Sequence, residues 1–351
     1  AAGQITSLVN YAPGGSVNSR FDYVYDALGR RTSQDTIDGR WMYGYDATGQ
    51  LISADFTPVT GSPVAAQNLQ YAYDAVGNRV RTSDNGVVSN YVTNVLNQYT
   101  HIGSDTLSYD ADGNLTLRTG VSETVSWEYD QQNRLTHEVR DSATLTMNYD
   151  FFGNRYATVS RGEVSHFVFD PDDGAFSIVG EYRGDQSHIY VYGAGLTARF
   201  SVIANATAFY DFDPMGSVAA IMSRSGDILQ RYSYGTTGAV IHQQTPLDST
   251  FRYGGQLGIV AEVSGLHYAR NRFSDPSMGR FMSQDPIGLE GGDPNLYRLS
   301  SNNQVSLIDP TGLTGSPYTR WGRFLKYDKY NKRMENADRA GDAARAAIGD
   351  C

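Results

Sequence analysis

A short phrase recurs along this chain, and it restricts the possible folds more than any other feature. The phrase reads aromatic, any residue, Tyr, Asp, two residues, Gly or Asn, a polar residue, then an apolar position. Clear copies are Tyr23–Arg30, Tyr43–Gln50 and Tyr71–Asn78. A degraded copy spans Tyr91–Gln98, with Asn94 in the Asp place. The Asp or Asn falls at 26, 46, 74, 94, 110, 130 and 150, at intervals of 20, 28, 20, 16, 20 and 20 residues. Alternating aromatic and polar residues describe a strand with one buried face. Asp opens a turn by bonding backbone two residues on, and Gly or Asn supplies the positive φ that ends it. The apolar residue that follows (Leu51, Val80, Leu115, Leu135) then starts a return strand. A period near 20 fits two strands and two turns. A lone hairpin cannot bury its aromatic face, but stacked hairpins can.

Composition agrees with many short strands. There are 37 Gly, 25 Tyr and 14 Phe against 7 Met and 3 Trp, and aromatic residues favour strands while Gly marks turns. The net charge of −10 argues against nucleic-acid binding by the bulk of the chain. The charge is uneven. Residues 1–313 hold 20 basic and 33 acidic groups with no Lys, whereas 314–351 hold 8 basic and 5 acidic, including Lys326, Lys329 and Lys332. That break marks a boundary near residue 314. The single cysteine, Cys351, permits no intrachain disulfide, and no apolar run approaches the ~20 residues of a membrane helix. The chain begins at Ala1 and reads as a fragment.

Seven such copies resemble the YD repeats of the Rhs and teneurin families, in which the sheet spirals into a hollow shell. The resemblance is clear over residues 20–160 and continues through degenerate copies at Phe209–Gly216 and Tyr232–Gly235. It implies an all-β fold of spiralling antiparallel β-hairpin repeats. The implied organisation is a repeat shell segment over 1–250, a second unit over 251–313, and the start of a variable C-terminal toxin domain, the basic segment over 314–351. From about Asn331 that last segment reads as a small α-helical tail.

Residues 251–313 differ in character from the repeats. They include Gly265–Phe273, Gly279–Phe281, Asn295-Leu296-Tyr297, and two copies of Asp-Pro-x-Gly-Leu at Asp285–Leu289 and Asp309–Leu313, 24 positions apart. This stretch resembles the Rhs-repeat-associated core, which the family uses as an aspartyl autoprotease. The resemblance implies a cut between Leu313 and Thr314, where the composition changes. It implies Asp285 and Asp309 as the catalytic pair and Arg272 as a functional arginine, with Arg270 and Arg280 as neighbours able to serve instead. The chemistry is reasonable: one carboxylate can take a proton from water while a second carboxylic acid polarises the carbonyl. Gly288 and Gly312 would allow sharp turns, and Pro286 and Pro310 would restrict them.

Other polar residues are read as structural. The repeat Asp residues, Asp275 and Asp293 are turn residues, and His267 is a packed histidine. With no His/Cys cluster at metal spacing, neither a metal nor a cofactor is expected. The resemblance implies the self-cleaving shell of a secreted polymorphic toxin, made in the bacterial cytoplasm and delivered to a target cell. Its implied setting is type VI secretion and interbacterial competition. The implied partners are the missing N-terminal part of the same shell, the cleaved C-terminal toxin, a secretion-machine spike protein, a chaperone and a cognate immunity protein. Two other classes remain open: a non-enzymatic, teneurin-like YD-repeat surface protein, and a carbohydrate-active β-enzyme. The sequence leaves open how the shell closes.

Overall fold

A computed structural model describes residues 4–141, 143–170, 177–193, 195–245, 247, 249–313 and 316–317. Twenty-three strands, from β1 (Ser7–Tyr11) to β23 (Val240–Gln243), form one sheet. Each strand pairs antiparallel with the next in sequence, as the first and last hairpins illustrate. The turns therefore alternate between two edges of the sheet, and every Tyr-Asp turn falls on the same edge.

Local chemistry explains those turns. Asp46 Oδ1 accepts the backbone N–H groups of Thr48 at 2.9 Å and Gln50 at 3.0 Å, while its Oδ2 accepts the Gln50 side chain at 2.8 Å. The same clamp recurs in Asp74–Asn78 and Asp110–Asn114. The polar residue four positions after the Asp is thus a bonding partner. Gly49, Gly77 and Gly113 have φ of 91°, 82° and 84°, and Asn97 and Asn133 take 62° and 60° in the Gly place. In several copies the Tyr just before the Asp also has a partner, although the Tyr129 hydroxyl has none. Tyr45, Tyr73 and Tyr149 donate their phenols to the carbonyls of Arg31, Leu51 and Leu135 at 2.6–2.9 Å. A half-buried phenol needs such a partner, which accounts for Tyr rather than Phe there.

Pairing register shifts at this same Tyr, between Gly44 and Tyr45, Ala72 and Tyr73, and Asn148 and Tyr149. Bulges increase local twist, and their repetition at one edge curls the sheet. The curl carries the first strands onto the late ones. Asn10 Nδ2 donates to Phe212 O at 3.0 Å, Asn18 Nδ2 to Asp211 Oδ2 at 3.0 Å, and Ser233 Oγ to Asp38 Oδ2 at 2.8 Å. Contacts between residues about 200 positions apart thus hold the N-terminal strands against the late ones. Leu51, Leu115, Leu135, Trp127 and Ile221 are buried on the inner face.

One expectation about the repeat is corrected. Val80 is 38% exposed, and the buried start of that return strand is Arg79, at 4%. Arg31 and Arg155 occupy the equivalent position and are also buried. All three point inward over aromatic rings: Arg31 over Tyr23 at 4.3 Å, Arg79 over Tyr71 at 4.7 Å, and Arg155 over Tyr268 at 4.3 Å. Arg31 donates to Val305 O at 2.7 Å, Arg79 to Met278 O at 3.2 Å, and Arg155 pairs with Glu262. A buried arginine requires a partner, and here each partner lies between residues 251 and 313.

That segment packs against the Tyr-Asp edge of the sheet. It contains a four-stranded antiparallel sheet of β24 (Val260–Ala261), β25 (His267–Ala269), β26 (Arg272–Asp275) and β27 (Arg280–Phe281). Tyr297 Oη donates to Gly113 O at 2.7 Å, Asn302 Nδ2 to Gly77 O at 2.8 Å, and Leu115 N to Met282 O at 2.9 Å. Beyond it, β28 (Leu307–Ile308) pairs antiparallel with β29 (Ser316–Pro317). Thr314 and the helix expected from about Asn331 lie outside the described residues.

Candidate active site

Arg272 is the first residue of β26, the strand that follows the turn at Ala269–Arg272. Its guanidinium lies 3.6 Å over the Phe281 ring, so both neighbouring strands of the small sheet position it. Each guanidinium nitrogen is used. Nε donates to Gly312 O, Nη1 to Leu296 O at 2.8 Å, and Nη2 to Asp285 Oδ2 at 2.8 Å. The same Nη2 lies 3.7 Å from Asp309 Oδ2. The three residues singled out in the sequence are therefore brought together, with the arginine contacting both carboxyl groups. Arg272 and Asp309 are almost wholly buried, and Asp285 nearly so.

The two Asp-Pro phrases hold their carboxyl groups differently. Asp285 Oδ1 accepts the Ile287 N–H at 3.0 Å, and its carbonyl accepts the Gly288 N–H at 2.9 Å. Asp309 Oδ1 accepts the Thr311 hydroxyl at 3.1 Å and, four residues on, the Leu313 N–H at 3.3 Å. Gly312 has φ of 69°, and a Cβ there would lie 2.7 Å from Ala269 O. Glycine is required at that position both by conformation and by close approach. It lets the chain before the Leu313 carbonyl pass beside Arg272.

Burial dominates the electrostatics. It raises the Asp285 carboxyl above the ordinary range, against the opposing pull of the Arg272 charge. It also pulls the Arg272 guanidinium down to about 10, although Asp285 and Asp309 both act to raise it. A desolvated cation beside two carboxyl groups can neutralise charge that develops at either one.

Leu296 joins these groups to the shell. Its carbonyl accepts both the Arg272 Nη1 and, at 3.0 Å, the backbone N–H of Asp285. The next residue, Tyr297, is 1% exposed. Its hydroxyl bonds Gly113 O and receives the Gln98 side chain at 3.0 Å. Asn295-Leu296-Tyr297 stood out in the sequence but suggested no role, since a backbone carbonyl leaves no residue-type signal. Phe281, whose ring lies under the Arg272 guanidinium, also suggested no role in the sequence.

The remaining acidic and basic residues nearby have other partners. Asp275 Oδ1 accepts the Ser277 N–H at 2.7 Å, and Asp293 pairs with Arg298 at 2.5 Å. Arg280 lies over the rings of Tyr99 and Tyr297 and bonds Asn295 at 3.2 Å. Arg270 has φ of 58° at the turn and lies beside Gly258. Neither arginine takes the place of Arg272. His267 is buried and stacked 5.2 Å from Tyr253, and burial lowers it to about 4. Among the described residues no cluster of three or more His, Cys, Asp or Glu could hold a metal ion.

Comparison with known proteins adds the family context. The Teneurin YD-shell family model matches residues 10–305. The "tRNA3(Ser)-specific nuclease WapA" of Bacillus spizizenii is 30% identical over 257 residues, covering 70% of this chain and 11% of that protein. The "Double-stranded DNA deaminase toxin A" of Burkholderia cenocepacia is 29% identical over 335 residues, covering 84% of this chain and 22% of that protein. The chain thus spans roughly a tenth to a fifth of these relatives. A crystal structure of TcdB2-TccC3 without its hypervariable C-terminal region matches with a TM-score of 0.60 at 18% identity, over 88% of this chain and 17% of that one. This last likeness concerns the fold.

Proposed function

This chain belongs to the teneurin YD-shell family, and from that premise we propose that it is the self-cleaving part of a toxin shell, cutting its own backbone between Leu313 and Thr314. The unit over 251–313 is the protease, the repeats are its container, and the segment past 313 is the start of the released toxin. The single observation that carries the reading is the shared contact of Arg272 Nη2 with Asp285 and Asp309, with the Leu313 N–H bonded to Asp309.

Hydrolysis proceeds as follows. Asp309, as carboxylate, takes a proton from water while the water oxygen bonds to the Leu313 carbonyl carbon. Asp285, as carboxylic acid, gives its proton to the carbonyl oxygen. The tetrahedral species then collapses. Asp285 recovers a proton from the diol, the carbon–nitrogen bond breaks, and the departing amine of Thr314 takes the proton held by Asp309. Arg272 offsets the negative charge that moves between the two carboxyl groups. Because the substrate is part of the same chain, effective concentration is high and one turnover suffices. Pairing of Ser316–Pro317 with Leu307–Ile308 would hold the new N-terminus against the shell after cleavage. The shell is made in the bacterial cytoplasm and delivered to a target cell, with the remainder of the shell and a cognate immunity protein as partners.

The test is intact mass and N-terminal sequencing of the purified chain. Two fragments are expected, the smaller beginning at Thr314. A well-folded chain that stays whole for days would overturn the proposal and favour a non-enzymatic YD-repeat surface protein.

A further inference from the structure

Gly288, Gly291, Gly292 and Gly312 lie within the Asp-Pro phrases or between them, and they serve different ends. Gly288 and Gly292 have φ of 55° and 84°, and a Cβ on either would meet nothing within 4 Å. Their backbone conformation requires glycine. At Gly312, conformation and close approach both do. Gly291 closes the helical turn Gly288–Gly291 without a positive φ, so its conformation suits any residue. Space is what it provides. A Cβ on Gly291 would lie 3.0 Å from Asp285 Oδ2 and 3.1 Å from the Leu313 carbonyl oxygen. Both are below the usual approach of carbon to oxygen, and both oxygens belong to the groups the reaction must bring together.

We propose that Gly291 is a positioning residue for autoproteolysis: its bare backbone lets the Asp285 carboxyl group and the Leu313 carbonyl share one small space. The inference rests on the reading above and adds a determinant that neither Asp-Pro phrase contains. A methyl group here must displace one oxygen by several tenths of an ångström. Misplacement by about 1 Å is enough to lower an oriented reaction by about 100-fold. The methyl also removes water from beside the Asp285 carboxyl and so disfavours its ionised form.

The experiment follows single-turnover cleavage of the full chain by intact mass across pH, with unfolding temperature measured alongside. Gly291→Ala is expected to cut about 10- to 100-fold more slowly at an unchanged unfolding temperature. The alkaline limb of its pH–rate profile is expected to move to higher pH. Leu289→Ala, at a 72% exposed position on the same turn, is expected to match the parent. A second measurement does not depend on cleavage. In an uncut Asp309→Asn background, carboxyl-carbon NMR of Asp285 is expected to titrate at higher pH when Gly291→Ala is added. Cleavage by Gly291→Ala at the parental rate overturns the proposal. So does slower cleavage with a lowered unfolding temperature and an unmoved pH profile, because that describes a structural role only. A parent chain that never cuts ends both this inference and the reading beneath it, whereas a parent that cuts while Gly291→Ala cuts equally well ends this one alone.

Discussion

Asp309 Oδ1 accepts the backbone N–H of Leu313 at 3.3 Å, so the carboxyl group proposed to activate water is tied to the residue whose carbonyl the proposed reaction would attack. Asp285 has no such bond to Leu313 in its side-chain contacts, yet its Oδ2 and the Leu313 oxygen both border Gly291. In the proposed reaction, one carboxyl group would hold the substrate while the other faces it.

Asp285→Asn and Asp309→Asn test that division. Each is expected to leave one full-length species by intact mass, since loss of a general acid or base costs about 100- to 10,000-fold. If both variants still cut at the same bond, the pair is wrongly assigned.

Arg272→Ala is expected to abolish cleavage and to destabilise the fold by about 3–5 kcal/mol, because it leaves two buried carboxyl groups without their shared cation. Arg272→Lys keeps a charge but cannot serve Gly312, Leu296 and Asp285 together. Denaturant unfolding should place Lys between Ala and the parent. Equal stability of Ala and parent would show that the guanidinium is not supporting the site.

The raised Asp285 carboxyl sets a pH dependence. As the acid in the reaction it must be protonated, so the cleavage rate is expected to fall as pH rises through its raised folded-state pKa. The same direction holds for stability. A carboxyl whose folded pKa exceeds its unfolded one contributes fully below the unfolded value, and the contribution is lost as pH rises through the folded one. A rate that climbs steadily from pH 4 to 8 would contradict Asp285 as the acid.

Two other buried groups oppose each other over the same range. Burial raises Asp213 to about 6, so its stability contribution is lost as pH rises from the unfolded value near 3.9 through 6. Burial lowers His267 to about 4, so its contribution is full above about 6.5 and is lost as pH falls through 4. Relative to the parent, the slope of unfolding free energy against pH between 4 and 6.5 is expected to become more positive in Asp213→Asn and more negative in His267→Phe. Parallel profiles for the two variants would refute both assignments.

Tyr297→Phe removes one hydroxyl that links the site to the shell at Gly113 and Gln98. A loss of about 1–2 kcal/mol is expected, with slower cleavage because the Leu296 carbonyl is no longer held firmly. Gly113→Ala attacks the same contact from the shell side. Its Cβ would lie 2.6 Å from the Tyr297 hydroxyl, at a φ of 84°, so a larger loss is expected in thermal unfolding. An unaltered cleavage rate in both would mean that the site is insulated from the repeats.

Features settled within about five residues could be read directly from the chain. Asp46 and Gln50 carry in their own side chains the bonds that make a turn, and repetition of that turn makes antiparallel hairpins. The paired Asp-Pro-x-Gly-Leu phrases were legible for the same reason, through residue types at short, fixed spacing. Contacts across the curled sheet were not legible. The return strand was expected to start at Val80 rather than Arg79, because the partner that buries Arg79, Met278 O, lies about 200 residues away. Asn18 gave no sign that it would meet Asp211. Bulge and twist accumulate over many strands before either pair can meet, and no local pattern records the sum. The site shows the same division: the types of Asp285, Asp309 and Arg272 could be read, whereas the Leu296 carbonyl and the bare backbone of Gly291 matter only where the folded chain places them.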